Sequence, residues 1–392
     1  MDRPHLRALH AQRLTIGTGA RTIFGSGTID ELPAVVKALG AKRVFLVTDG
    51  GLVASGLIGR VTDRLHEAGL QVETYAELRP NPATEDIAAG GRALRKFDDA
   101  LVVGLGGGTS LDGAKGISLA ATNDVAIAEL DYRNETLNPG LPLVAIPTTA
   151  GTGSETNSFG VIEDHGAHRK FYIGHPSVAP KAVILDPALT VGLPAGATAA
   201  TGMDALTHAL ESLMARSPNP FSHGLDLEVI GIVHRWLPVA VESGTNIEAR
   251  AQMLLAAHLA GLAFANTGLG LAHALAHTLS AMLGTPHGVA LGVVLPSVME
   301  LNQAARLAEL AQVGAQFGAE PGASDEDAAC VAVNEVRGLR SRLGMPGNLG
   351  QLGLQESMVD RLAQGALDDI VLANNPIQPT FERLATLVRS LL

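Results

Sequence analysis

The chain has 392 residues, 46% of them hydrophobic and 17% charged, with a formal net charge of −11. That length exceeds what one core usually organises, so two domains are expected, and the hydrophobic share excludes a largely disordered chain. So acidic a protein is repelled by phosphate backbones and anionic lipid, which argues against nucleic-acid and membrane-surface binding. Cys330 is the only cysteine, so no internal disulfide and no cysteine-rich metal site can form, and a reducing cytoplasm is the expected location.

Met1–Gln12 lacks the apolar run of a secretory signal and is expected to be a loosely held arm. Arg43–Thr48 is a short apolar run ending at Asp49-Gly50-Gly51, and a helical pattern follows over Leu52–Ala68, closed by Gly69. Gln71–Tyr75 is strand-like, Asn81-Pro82 breaks the chain, and Glu85–Lys96 reads as a helix. Ala100–Val103 and Leu143–Ile146 are buried strands, the first running into Gly104–Gly108 and the second stopped by Pro147. Strands alternating with helices indicate a parallel, doubly wound, Rossmann-like α/β layer. After about Asp186 the β-branched runs fade, and helical periodicity appears over 198–215, 222–241, 247–265, 271–283, 301–317, 324–343 and 356–366. The expected division is therefore an α/β domain over 1–187 and an all-helical domain over 188–392.

Met253–Met299 contains no Asp, Glu, Lys or Arg and is long enough to span a bilayer. It also holds His258, Asn266, His273, His277 and His287 among many Ala and Gly. Imidazoles are unfavourable at bilayer depth, so a buried core beside a polar pocket is the better reading.

Gly104, Gly106, Gly107 and Gly108 follow a buried strand, and Thr109-Ser110 open the next helix. Such a turn brings backbone N–H groups close to an anion at a positive helix end, and a pyrophosphate suits it. It is neither a P-loop nor a regular G-x-G-x-x-G fingerprint, and close strand–helix packing alone also explains the glycines. Asp49 closes a strand, where a carboxylate can bond an adenosine ribose and repel a 2′-phosphate, favouring NAD over NADP. A helix N-cap is the competing role for it. Asp112 and Lys115, three apart, read as a surface ion pair.

Asp204 and His208 lie four residues apart in a helical segment, and His273 and His277 repeat that spacing. Residues so spaced share a helix face and can reach one cation. On a single straight helix His287 would lie about 21 Å from His273, but Gly284, Thr285 and Pro286 interrupt the pattern and let the chain fold back. Imidazoles with a carboxylate suit Fe²⁺ or Zn²⁺. Spacing alone does not say which of His273, His277 and His287 bind metal.

The chain resembles the iron-containing (group III) alcohol dehydrogenases through VTDGGL (47–52), PNPAT (80–84), GGGTSLDGAK (106–115), PTTAGTGSE (147–155), RKF (169–171), TGMDALTHALE (201–211) and GLGLAHALAHTLSAMLGTPHG (268–288). The resemblance implies metal ligands at Asp204, His208, His273 and His287, and a non-ligand histidine near the reaction at His277. It implies dinucleotide contacts at Asp49, Asn81, Gly107, Gly108, Thr109, Thr148, Thr149, Thr152 and Lys170. It further implies NAD-dependent interconversion of a small-molecule alcohol with its aldehyde or ketone, Fe²⁺ with Zn²⁺ as the other metal this set accepts, and a homodimer or larger assembly. Thr109 stands where Ser is commoner, Ala274 where Gly is usual, and Leu291-Gly292 where Asn-Ala is frequent; none removes a ligand. These departures, with Asn157 and Phe159 after PTTAGTGSE, are expected to reshape the pocket. The alternatives are a polyol or hydroxy-acid dehydrogenase, or a dehydroquinate-synthase-like lyase, of the same superfamily, which lack the HALAH…PHG arrangement. A metal-free maleylacetate reductase type would not need four ligands. A metallohydrolase would need a Glu base where positions 274–276 are Ala-Leu-Ala, and a non-catalytic nucleotide-binding module has no use for the metal set.

Overall fold

The structure, a computed structural model, describes residues 16–164 and 169–392; the expected arm at Met1–Gln12 lies outside them. Chain contacts divide it into two compact units, Thr18–Gly192 and a second containing Leu193–Leu392.

The first unit is built on a six-stranded sheet. Its strands are β1 (Arg21–Phe24), β2 (Arg43–Asp49), β3 (Gln71–Leu78), β4 (Leu101–Gly106), β5 (Leu143–Pro147) and, after a separate hairpin of β6 (Phe159–Asp164) and β7 (Arg169–Gly174), β8 (Ala182–Leu185). The order across the sheet is β1-β8-β5-β4-β2-β3, and every neighbouring pair is parallel. Side chains alternate between the faces of a strand, and β2 shows the consequence. Phe45 and Val47 join the core under α4 (Thr84–Phe97) and α5 (Gly108–Thr122). Val44 and Leu46 join the one under α1 (Leu32–Ala38) and α3 (Leu57–Glu67). Both faces are covered, which is why the central strands read as unbroken apolar runs.

The helix expected over Leu52–Ala68 is two helices, α2 (Gly50–Ala54) and α3, separated where Gly56 takes the left-handed conformation at φ 76°. The short strands β1 and β8 and the hairpin β6–β7 add to the expected set.

Among the described residues the second unit contains helices and no strands. They are α6 (Ala195–Leu213), α7 (Pro220–Glu242), α8 (Ile247–Phe264), α9 (Leu271–Leu283), α10 (His287–Asn302), α11 (Leu307–Gln316), α12 (Asp325–Arg342), α13 (Val359–Asp368) and α14 (Phe381–Ser390). The helix expected over 301–317 starts later, because α10 occupies the chain as far as Asn302 and a short 3-10 turn follows. Gly288, Gly292 and Pro296 hide α10 from a propensity reading, yet it is a core helix packed on α6, α9 and α12. Among the described residues His287–Ala305 is the one helical stretch long and apolar enough to cross a membrane, and most of it is buried against these neighbours.

Gly288 explains how α10 reaches α6. A Cβ built there would stand 2.0 Å from the Ala200 carbonyl oxygen, so only glycine lets the two backbones touch. Because His287 is the first residue of α10, this contact also sets where its imidazole goes.

Candidate active site

In the helical unit, α6 presents Asp204 and His208 one turn apart on a buried face. Helix α9 contributes His273, and the chain turns back through Gly284 to deliver His287 at the start of α10. Asp204 Oδ1 lies 3.4 Å from His208 Nε2, 3.5 Å from His273 Nε2 and 3.8 Å from His287 Nε2. Ligand atoms of Asp204, His208 and His273 all fall within 4.8 Å of one another. For N and O ligands about 2.1 Å from a tetrahedral ion, neighbouring ligand atoms should be about 3.4 Å apart. Asp204 Oδ1 and His273 Nε2 are moreover buried with no hydrogen-bond partner, a costly condition that a bound cation relieves. The residues present thus fit a divalent metal.

The electrostatics agree. Burial would raise the Asp204 carboxyl, but the imidazoles of His208, His273 and His287 outweigh it and hold the group below the usual carboxylate range. Burial would lower His273, yet Glu211 and Asp204 push it up to about 9.

Two carboxylates went unremarked in the sequence. Glu211 accepts from His273 Nδ1 at 2.6 Å and from the backbone N–H groups of Gly270 and Ala272 at the start of α9. Holding Nδ1–H in this way leaves Nε2 to face Asp204, the arrangement that orients metal-binding histidines. Its signal was available, since Asp204, His208 and Glu211 follow i, i+4, i+7 spacing on one helix face. Asp369 accepts from His277 Nδ1 at 2.7 Å; burial would raise its carboxyl, but the His277 bond holds it low. The His277 ring stacks on that of His287 with centroids 5.2 Å apart and lies 5.9 Å from that of His273.

In the α/β unit a second site is assembled from backbone and small side chains. Helix α5 begins at Gly108 with Gly107 as its N-cap, and no side chain caps it. A Cβ at Gly107 would meet Thr149 Cγ2 at 3.2 Å, and one at Gly108 would meet Thr152 Cγ2 at 2.8 Å. The glycine turn and the threonine loop 148–153 therefore face each other across a gap that any larger residue would fill. Thr148 N donates to Gly106 O at 3.0 Å, and Thr109 lies in the first turn of α5. Asp49 does cap α2, accepting from Gly51 N and Leu52 N at 2.9 and 3.1 Å. Its other oxygen meets Ser110 Oγ at 3.3 Å, so the carboxylate also borders the glycine turn. Asn81 and Lys170 form a separate pair, Lys170 Nζ donating to Asn81 Oδ1 at 3.3 Å. An open helix N-terminus beside a cradle of glycines and hydroxyls fits a dinucleotide diphosphate.

One expectation is corrected. Asp112 and Lys115 are not a surface pair, for Lys115 is 0% exposed. Its Nζ donates to Ser154 O, Ser154 Oγ, Asn157 Oδ1 and Phe159 O at 2.6–2.8 Å. A lysine is normally at the surface; here a ring of oxygens replaces its water.

A cluster that fits a divalent metal in the helical unit and a turn that fits a diphosphate in the α/β unit narrow the family, and sequence comparison decides it. Residues 19–187 match the family described as iron-containing alcohol dehydrogenase, and residues 198–392 match the C-terminal part of the Fe-containing alcohol dehydrogenase family. The chain belongs to the iron-containing alcohol dehydrogenase family. It is 34% identical to the NAD-dependent methanol dehydrogenase of Bacillus methanolicus, over 95% of this chain and 98% of that one. Of solved structures, a 1,3-propanediol oxidoreductase superposes with a TM-score of 0.94 at 34% identity, covering 97% of this chain and 100% of the other. An alcohol dehydrogenase from Oenococcus oeni does so at 0.93 and 31% identity, with 97% and 100% covered. The parallel-sheet unit followed by a helical unit is the architecture of this family, and its members are oxidoreductases.

Proposed function

We propose that the protein is an NAD-dependent dehydrogenase that interconverts a short-chain alcohol and its aldehyde, using Fe²⁺ held by Asp204, His208, His273 and His287. When bound, the metal supplies Lewis acidity toward the alcohol or carbonyl oxygen and the nicotinamide supplies the hydride acceptor or donor. The observation that carries the reading is that two buried atoms, Asp204 Oδ1 and His273 Nε2, stand 3.5 Å apart without a hydrogen bond inside a cluster of three imidazoles.

The chain's own residues do the rest. Glu211 fixes the His273 tautomer. His277, its Nδ1–H committed to Asp369, exchanges a proton with the substrate hydroxyl at Nε2, and the carboxylate steadies the imidazolium that results. The first turn of α5 with Gly107, Gly108, Thr109, Thr148, Thr149 and Thr152 holds the diphosphate, and Asn81 and Lys170 contact the same cofactor. Asp49 bonds the adenosine ribose and disfavours a 2′-phosphate, so NAD is preferred to NADP. The short-chain substrate rests on the methanol and 1,3-propanediol named for the relatives. A homodimer or larger assembly in the cytoplasm belongs to the same reading.

The test is metal analysis of the purified protein together with an NADH-linked screen of alcohols and aldehydes. Bound iron and turnover of short aldehydes are expected, with bound zinc revising only the ion. Full turnover by rigorously metal-free protein would overturn the reading.

A further inference from the structure

We propose that Asp112 and Lys115 are positioning residues for the nucleotide, clamping the threonine loop at the distance from the glycine turn that a diphosphate requires. The inference rests on reading that turn as the cofactor's seat, as proposed above.

Gly108, Asp112 and Lys115 stand at i, i+4 and i+7 of α5 and so share one face of the helix. The first of them borders the proposed diphosphate. The other two grip the chain segment that carries Thr149 and Thr152. Lys115 Nζ binds both the carbonyl and the hydroxyl oxygen of Ser154, two residues beyond Thr152, and then Asn157 Oδ1 and the Phe159 carbonyl. Asp112 accepts from Ser154 Oγ and, through its other oxygen, from Val161 N at 3.0 Å. Ser154 is thus held by both side chains at once, and Ser154 N donates to Thr152 Oγ1 at 3.3 Å.

The tolerance is small. A Cβ at Gly108 would already overlap Thr152, and one at Gly160 in β6 would stand 2.9 Å from Asp112 Cβ. A loop seated this tightly cannot rely on exposed contacts, whose geometry fluctuates. Charge-assisted bonds in a buried setting supply the stiffness. The charged groups that face Lys115 are Asp112 on its own helix and Glu155 on the loop; burial lowers its ammonium, and both acids oppose that. Asp112 also feels Lys170 from β7. Neither Asp112 nor Lys115 needs to touch the cofactor for its loss to be felt there.

The experiment is a fluorescence titration of NADH into the wild-type protein, Lys115→Met and Asn157→Ala, with metal stoichiometry and thermal unfolding followed alongside. Lys115→Met is expected to weaken NADH binding by about tenfold or more, a charge-assisted network being lost. The deficit should fall more on KM for NADH than on kcat, with the metal retained. Asn157→Ala removes one of the four acceptors on the loop side and should weaken binding by about three- to tenfold, the range of a single hydrogen bond of ordinary strength. If Lys115→Met does not fold, Asn157→Ala decides. Binding within about twofold of wild type in a folded variant would overturn the positioning role while leaving the seat itself intact. A wild-type protein that does not bind NADH would overturn the seat and this inference together.

Discussion

The two units each bury a cluster of charged side chains, and the clusters differ in one respect. Around Lys115 the charged atoms are answered, with four oxygens on Nζ and donors on both oxygens of Asp112. Around Asp204 the imidazoles stand at 3.4–3.8 Å, and two atoms, Asp204 Oδ1 and His273 Nε2, make no hydrogen bond. A closed network rigidifies what it touches, whereas an open one is stable only when something else completes it. Burial and charge alone do not separate a scaffold from a binding site; completeness of hydrogen bonding does.

The broadest way to break this contrast is to remove the ion. Chelation is expected to abolish aldehyde-dependent NADH oxidation and to lower the thermal midpoint. An ion present at a thousand times its Kd contributes about 4 kcal/mol to the folded state. Differential scanning calorimetry with and without chelator checks this, and unchanged stability would place the Asp204 cluster beside the Lys115 cluster as mere scaffold.

Next in size comes the division of labour among the histidines. His277→Ala should keep its metal and lose about 10²–10⁴-fold in rate, while His273→Ala should lose metal and activity together. Metal stoichiometry beside steady-state rates tests both, and a metal-free His277→Ala with a metal-retaining His273→Ala would move the ligand assignment by one helical turn. A finer cut falls on Glu211. Glu211→Gln should weaken metal affinity by about 10–100-fold, the usual effect of losing such a partner. Competition against a chelator of known affinity reads it directly.

These effects bear on what the sequence revealed. Helical spacing and a Gly-Thr-Pro break single out Asp204, His208, His273, His277 and His287 in one dimension, but only the family resemblance separates His277 from the other four. Glu211 obeyed the same spacing and could have been found. Asp369 could not, since its partner His277 lies 92 residues away and nothing local in either segment announces the pair. Lys115 departs from its expected surface position: a lysine is exposed by default, and the oxygens that bury it come from a loop and a hairpin whose fold no periodicity encodes. In the α/β unit the continuous apolar strands were evident, while β1 and β8, four residues each, are too short to show a period.

pH offers a sharper view of the open cluster. In the metal-free protein His273 is pushed up to about 9 by Glu211 and Asp204 against the effect of burial. An ion must therefore displace that proton at any lower pH. Apparent metal affinity should climb about tenfold per pH unit for each proton released and level off near pH 9. For the metal-free protein alone the linkage has the opposite sense. The raised His273 value contributes stability in full below the ordinary histidine range, and that contribution is lost as pH rises through about 9. Metal titrations and thermal melts at several pH values test both arms, and a pH-independent affinity would contradict them.

The smallest expected effect concerns Asp49, which borders the glycine turn and caps α2. Asp49→Ala should narrow the preference for NADH over NADPH by several-fold and cost about 1 kcal/mol as a lost cap. Kinetics with the two cofactors and urea unfolding separate the roles; an unchanged cofactor ratio with lowered stability leaves only the cap.

The backbone contact between Gly288 and Ala200 O has a bearing on how the chain folds. Asp204 and His208 meet as soon as one helix forms, but His273 and His287 join them only after α9 and α10 have docked on α6. Contacts so distant in sequence form late, because loop closure must precede them. The cluster accordingly comes into being when the helical unit is nearly finished, and an ion captured there slows unfolding far more than it hastens folding.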